Sequence, residues 1–134
     1  MAEQLELQIV TPERLVLAEQ VDEVVLPSVE GSMGVLPGHV PLLARLQPGE
    51  LAYRVGNQTR YLAISGGFAE VLRHGVSVLA ETCERPDEID LDRARQAQAR
   101  AEAALEVDPT ERSEARAALE RAINRIRVRH RGTQ

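Results

Sequence analysis

Lysine is missing from this chain: all sixteen basic residues are Arg. That excludes a lysine nucleophile, a Schiff-base site and the lysine of a phosphate-binding P-loop. Aromatic residues are nearly missing too, with only Tyr53, Tyr61 and Phe68 and no Trp, too few rings to read single-stranded nucleic acid by stacking. A single cysteine, Cys83, cannot form an internal disulfide, and three scattered His cannot complete a Cys/His metal cluster with it. No apolar run approaches the length of a membrane span, and the opening MAEQLELQIV lacks the basic and apolar regions of a signal peptide. What remains is 134 residues, 43% hydrophobic, with a net charge of −5: one domain, or a small domain with an appendage.

Composition changes near residue 85. The first 84 residues hold eight of the nine Gly and five of the seven Pro, with eleven acids against five Arg. The remainder is Ala-rich and carries eleven Arg against ten acids. The seam falls at Glu84-Arg85-Pro86-Asp87. Before it, Leu5, Leu7 and Ile9 alternate with polar neighbours, the period of a half-buried strand. β-type runs follow at Arg14–Ala18, Val21–Leu26, Met33–Leu36, Leu42–Leu46, Leu51–Val55, Arg60–Ser65, Phe68–Leu72 and Val76–Ala80. Turn signals such as Pro37-Gly38, Gly56-Asn57 and Gly66-Gly67 separate them, which predicts a sandwich or barrel. Gly66-Gly67 is expected to supply positive φ between strands.

After the seam, Leu91, Ala94, Ala97, Ala101, Ala104 and Leu105 recur at helical spacing behind Asp90, a candidate N-cap. Asp108-Pro109-Thr110-Glu111 reads as a second helix start, and Ala115, Leu119, Ala122, Ile123 and Ile126 as its stripe. A short connection between two such helices makes an antiparallel hairpin. Its seam is mostly Ala, and each buried methyl brings only about 0.8 kcal/mol, so the hairpin is a candidate switch.

No nucleophile elbow, zinc-protease motif or P-loop is present, and His39, His74 and His130 lie far apart. The residues offer no enzyme. The strongest charge feature is the tail Arg121, Arg125, Arg127, Arg129 and Arg131. One or two cations there would complement the helix dipole, whereas five point to an anionic partner. Arg93 and Arg100 share one side of the first helix, and could meet Arg121 and Arg125 around an anion or form surface ion pairs with nearby acids. A sandwich adaptor docking its Arg-rich helix on nucleic acid is an alternative, opposed by the acidic balance of the whole chain.

The runs Gly34-Val35-Leu36-Pro37-Gly38-His39-Val40-Pro41-Leu42-Leu43 and Ile64-Ser65-Gly66-Gly67-Phe68-Ala69-Glu70-Val71, followed by an Ala-rich hairpin, are similar to the epsilon-subunit family of bacterial F-type ATP synthases. The resemblance spans the chain. It implies an α+β, mostly β architecture: a sandwich of about ten strands over residues 1–85 and a regulatory two-helix hairpin over 86–134. It implies a non-catalytic rotor subunit on the cytoplasmic face of the plasma membrane, reaching the membrane only through its complex. The implied partners are the gamma subunit and c ring for the sandwich, through Ser32 and His39. For the extended hairpin they are acidic segments of the alpha and beta subunits, through Arg127 and Arg129, and no nucleic acid is implied. No cofactor is required, but ATP is implied as a regulatory ligand of the folded hairpin, held by Glu84, Ile89, Asp90, Arg93, Ala94, Arg100, Arg121 and Arg125.

Overall fold

A computed structural model describes residues 3–107 and 112–131. Ten strands come first: β1 (Leu5–Val10), β2 (Leu15–Val21), β3 (Glu23–Ser28), β4 (Gly31–Val35), β5 (Leu42–Leu46), β6 (Gly49–Val55), β7 (Gln58–Ile64), β8 (Gly67–Leu72), β9 (Gly75–Ala80) and β10 (Cys83–Glu84). A 3-10 turn over Pro86–Glu88 precedes α1 (Leu91–Val107) and α2 (Arg112–Arg131). The chain divides into two compact units, Met1–Cys83 and Glu84–Gln134.

The strands hydrogen-bond in the order β10-β7-β6-β3-β5-β8-β9-β1-β2, with β4 paired on β3. The sheet curls until β2 meets β6, giving a near-barrel sandwich. Alternation explains the core. Leu5, Leu7 and Ile9 of β1 are fully buried while Glu6 and Gln8 face outward. β1 runs parallel to β9, so Leu7 sits beside Val76 and Ile9 beside Val78 on the same inner face. Removing each such side chain from water contributes about 1.5–3 kcal/mol.

Sequence periodicity locates β5 to the residue and the other long strands to within a few residues of their ends. Two departures have physical causes. β3 continues through Pro27, whose missing N–H is harmless because the ladder there uses its carbonyl, which accepts from the Gln47 amide at 2.9 Å. β10 (Cys83–Glu84) is two residues long, too short to show a period, and it ends at Glu84, the first residue of the seam.

Asp22, between β2 and β3, clips the β6–β7 turn: its carboxylate accepts the Gly56 amide at 2.6 Å and the Gln4 side-chain amide at 3.2 Å. Those bonds, the Gly56 amide foremost, with Arg54 nearby, hold its pKa below the ordinary 3.8. A lowered folded-state pKa means the clip stabilises the fold above the ordinary carboxylate value and weakens as pH falls through the folded one. Asp22→Asn should therefore flatten the acid limb of stability, with its deficit against wild type shrinking as pH falls below 3.8. Parallel denaturant titrations at neutral and acid pH check this, and an equal deficit at both would overturn it.

Candidate functional site: the helical hairpin and an exposed sheet face

α1 begins at Asp90, as its sequence suggests: the Oδ1 accepts the Arg93 amide at 3.2 Å and the backbone carbonyl accepts the Ala94 amide at 3.0 Å. The stripe Leu91, Ala94, Ala97, Ala101, Ala104 and Leu105 is buried or half-buried, with Ala94 at 0% exposure. α2 packs on α1. It buries Ala115 and Ala122, with Leu119 and Ile126 half-buried, while Ile123 is exposed. The Asp108-Pro109-Thr110-Glu111 start signal lies outside the described residues. Asn124 and Val128 form a second buried stripe on α2 that sequence reading missed, because the polar Asn124 and Arg121 interrupt its apolar period.

The residues that the resemblance gathers around a nucleotide divide into two sets. Ile89 is buried at 3% exposure, Asp90 caps α1 and Ala94 forms the hairpin seam, so each has a structural task. Glu84 and Arg125 hold each other: Arg125 Nη2 donates to Glu84 Oε2 at 2.9 Å. Arg125 Nε lies 2.8 Å from Glu84 Oε1, close enough for an ion pair, although its N–H is not aimed well enough to count as a second hydrogen bond. Arg93, Arg100 and Arg121 are exposed, and among the described residues no acid or acceptor engages their guanidiniums.

Helical geometry places these cations. At about 100° per residue, Arg93 and Arg100 lie on the shoulder of the α1 stripe beside Ala97 and Ala104. Arg121 and Arg125 lie on the α2 shoulder beside Ala118. In an antiparallel pair those two shoulders form one edge, so four Arg share it. Arg127 and Arg129 are two residues apart, hence on roughly opposite sides of α2: Arg129 is half-buried toward the α1-facing stripe and Arg127 is exposed. The Arg tail is therefore not one face. Arg129, His130 and Arg131 also sit where cations complement the helix dipole.

On the sandwich, Ser32 is exposed on β4, opposite Pro27. His39 closes a turn, its amide donating to Leu36 O at 3.1 Å with Gly38 at φ +90°, while its Nδ1 lies 2.7 Å from Val40 O. The Gly38 amide binds Arg73 O at 2.7 Å, which seats this turn against the β8–β9 turn. Exposed apolar residues cluster here, with Leu36 at 53%, Val40 at 73% and Leu43 at 70% exposure. Sequence reading missed a further surface. Across the outer sheet face Phe68 pairs with Leu79, Leu79 with Val10 and Val10 with Leu15, an apolar row over β8, β9, β1 and β2. Phe68, Leu79 and Leu15 are at least half exposed. Such a row on a folded surface is a candidate protein-docking face.

The architecture is that of a two-part chain, a β-sandwich followed by a two-helix unit. Residues 4–86 match the family described as ATP synthase, Delta/Epsilon chain, beta-sandwich domain, and residues 87–129 its long alpha-helix domain. The chain belongs to this family, as an accessory subunit of the synthase and not a catalyst of its own. It is 50% identical over 131 residues to the ATP synthase epsilon chain of Nitratidesulfovibrio vulgaris, covering 96% of this chain and 98% of that one. It is 51% identical over 130 residues to that of Syntrophobacter fumaroxidans, covering 96% and 97%. Among solved structures, a chain of the Euglena gracilis mitochondrial ATP synthase, from a structure of its OSCP/F1/c-ring, superposes with TM-score 0.81 at 29% identity, over 92% of this chain and 80% of that one. A chain of the Tetrahymena thermophila mitochondrial ATP synthase central stalk and c ring matches over the full length of both chains with TM-score 0.63 at 16% identity, a likeness of fold alone.

Proposed function

We propose that this chain is a rotor subunit that helps couple proton flow to ATP synthesis and restrains ATP hydrolysis through a mobile, ATP-sensing hairpin. The sandwich docks on the gamma subunit and the c ring on the cytoplasmic face of the plasma membrane. Supporting that docking are the apolar row Phe68–Leu79–Val10–Leu15 and the exposed turn around His39. The single observation that carries the switch is the edge of the hairpin. Arg93, Arg100 and Arg121 stand exposed without acid partners among the described residues, beside a seam of Ala94, Ala101, Ala115 and Ala122. Guanidinium forks suit phosphate oxygens. A ligand that binds only the folded hairpin stabilises it in proportion to the logarithm of its concentration over Kd, and an Ala seam is weak enough for that to matter. ATP then favours the folded, permissive hairpin, and its loss frees the helices to extend along gamma, with Arg127 and Arg129 facing acidic segments of the alpha and beta subunits.

Calorimetric titration of the full chain with ATP tests the sensor. Saturable binding is expected, weakened about tenfold or more by Arg93→Ala and by Arg121→Ala, since each removes a charge-assisted bond. Unchanged affinity in both variants, or no binding by the wild type at millimolar ATP, would overturn it.

A further inference from the structure

The chain pairs two of the residues that the resemblance casts together as nucleotide contacts, Glu84 and Arg125. We propose that Glu84 is the resident counter-anion of Arg125, a carboxylate that the phosphates of a nucleotide must displace, so that Glu84 opposes nucleotide binding instead of contributing a contact. The inference rests on the ATP-sensing reading above and adds its regulation.

The geometry favours competition. Arg125 Nη2 donates to Glu84 Oε2 at 2.9 Å and its Nε lies 2.8 Å from Oε1, so the carboxylate occupies the side of the guanidinium fork that a phosphate would also use. Both can occupy that fork only in turn. A carboxylate at this distance also repels an incoming phosphate, and with side-chain exposures of 33% and 25% the pair is only partly screened by water. The other cations on the edge differ, because Arg93, Arg100 and Arg121 have no such carboxylate among the described residues. Arg125 is thus the guarded member of the set.

The pair also tethers the segment that leads into α1. Glu84 is followed by the Pro86–Glu88 turn, closed by the Arg85 amide donating to Glu88 Oε1 at 2.9 Å, and then by the buried Ile89. Forty-one residues separate Glu84 from Arg125, so their bond links the start of the hairpin unit to its second helix. Displacing Glu84 releases that tether while the ligand takes hold of α2. Nucleotide binding then exchanges an internal link for an external one, which raises the concentration at which the hairpin responds.

The test is a calorimetric titration of full-length wild type, Glu84→Gln and Arg125→Ala, alone and combined, with ATP and separately with tripolyphosphate. Removing the carboxylate should tighten both ligands about fivefold, the weight of a partly exposed ion pair. The gain should vanish when Arg125 is already absent. A direct ligand role for Glu84 gives the opposite sign, weaker ATP binding in Glu84→Gln, and overturns the inference, as does unchanged affinity. Should the Gln variant show a reduced helical circular-dichroism signal, Glu84→Asp carries the test: its shorter carboxylate cannot span the fork, so tighter binding supports the inference and equal or weaker binding overturns it. Binding by wild type without a gain in either variant leaves the sensor standing and removes only the Glu84 role. No binding by any chain at millimolar ATP removes both.

Discussion

Gly67→Ala should lower the stability of the sandwich by about 3 kcal/mol or more, combining backbone strain with overpacking. Gly67 has φ +130°, outside the range that an alanine adopts without strain. A Cβ there would also collide with the Leu79 carbonyl oxygen and approach Ala80 Cα to 2.9 Å. Neither neighbour can step aside, because Gly67 pairs with Ala80 and Phe68 with Leu79 in the β8–β9 ladder. On the other side Gly67 pairs with Leu46 of β5, so the clash sits inside a three-strand junction. Gly66→Ala has the same kind of strain at φ +144°, but its nearest contact is the Glu81 carboxylate at 3.4 Å, a side chain that can move. The ordering is therefore Gly67 well above Gly66 in urea-midpoint loss. Equal losses at the two positions would show that φ alone, and not the close approach of β9, makes Gly67 necessary.

That pair of glycines shows how far the sequence could be read. Positive φ at Gly66-Gly67 follows from two glycines between apolar runs, but the collision with Leu79 O follows from the β8–β9 register, which no local pattern states. The same limit governs the docking row. Phe68, Leu79, Val10 and Leu15 come from four strands, and one of the pairings that aligns them is parallel, between chain segments about seventy residues apart. The Val10–Leu15 step also depends on a bulge between Ile9 and Val10 that turns Leu15 outward. Short-range features were legible where one residue does one job. Asp90 caps α1, and the Ala stripe of α1 falls on its buried and half-buried face. On α2 the stripe was legible only in part, because two buried faces of one helix superpose their periods and one carries Asn124. The resemblance gathers Glu84 and Arg125 around one ligand, but their direct bond could not be foreseen, because only the folded unit makes them partners.

Phe68→Ser combined with Leu79→Ser should weaken docking on the gamma subunit by about a hundredfold or more, as expected when two apolar anchors at the centre of an interface are truncated. Phe68 is 50% and Leu79 62% exposed in the free chain. Truncating them therefore forfeits little of the sandwich's own core, and thermal unfolding of the isolated chain should shift far less than for Gly67→Ala. The neighbouring row supplies the control. Glu70, Ser77 and Gln8 pair across the same strands one step away, on the same outward face, and form a polar stripe beside the apolar one. Ser77→Ala should leave binding within a few-fold of wild type, because a polar group at an interface rim is close to energetically neutral. Surface-immobilised gamma titrated with each chain reads both effects. If the double variant bound as tightly as wild type, the apolar row would not be the docking face, and the exposed cluster of Leu36, Val40 and Leu43 around the His39 turn would take its place. If Ser77→Ala were as damaging as the double variant, the interface would be centred on the polar row. The two rows thus divide the outer face into alternatives that a single set of binding curves separates.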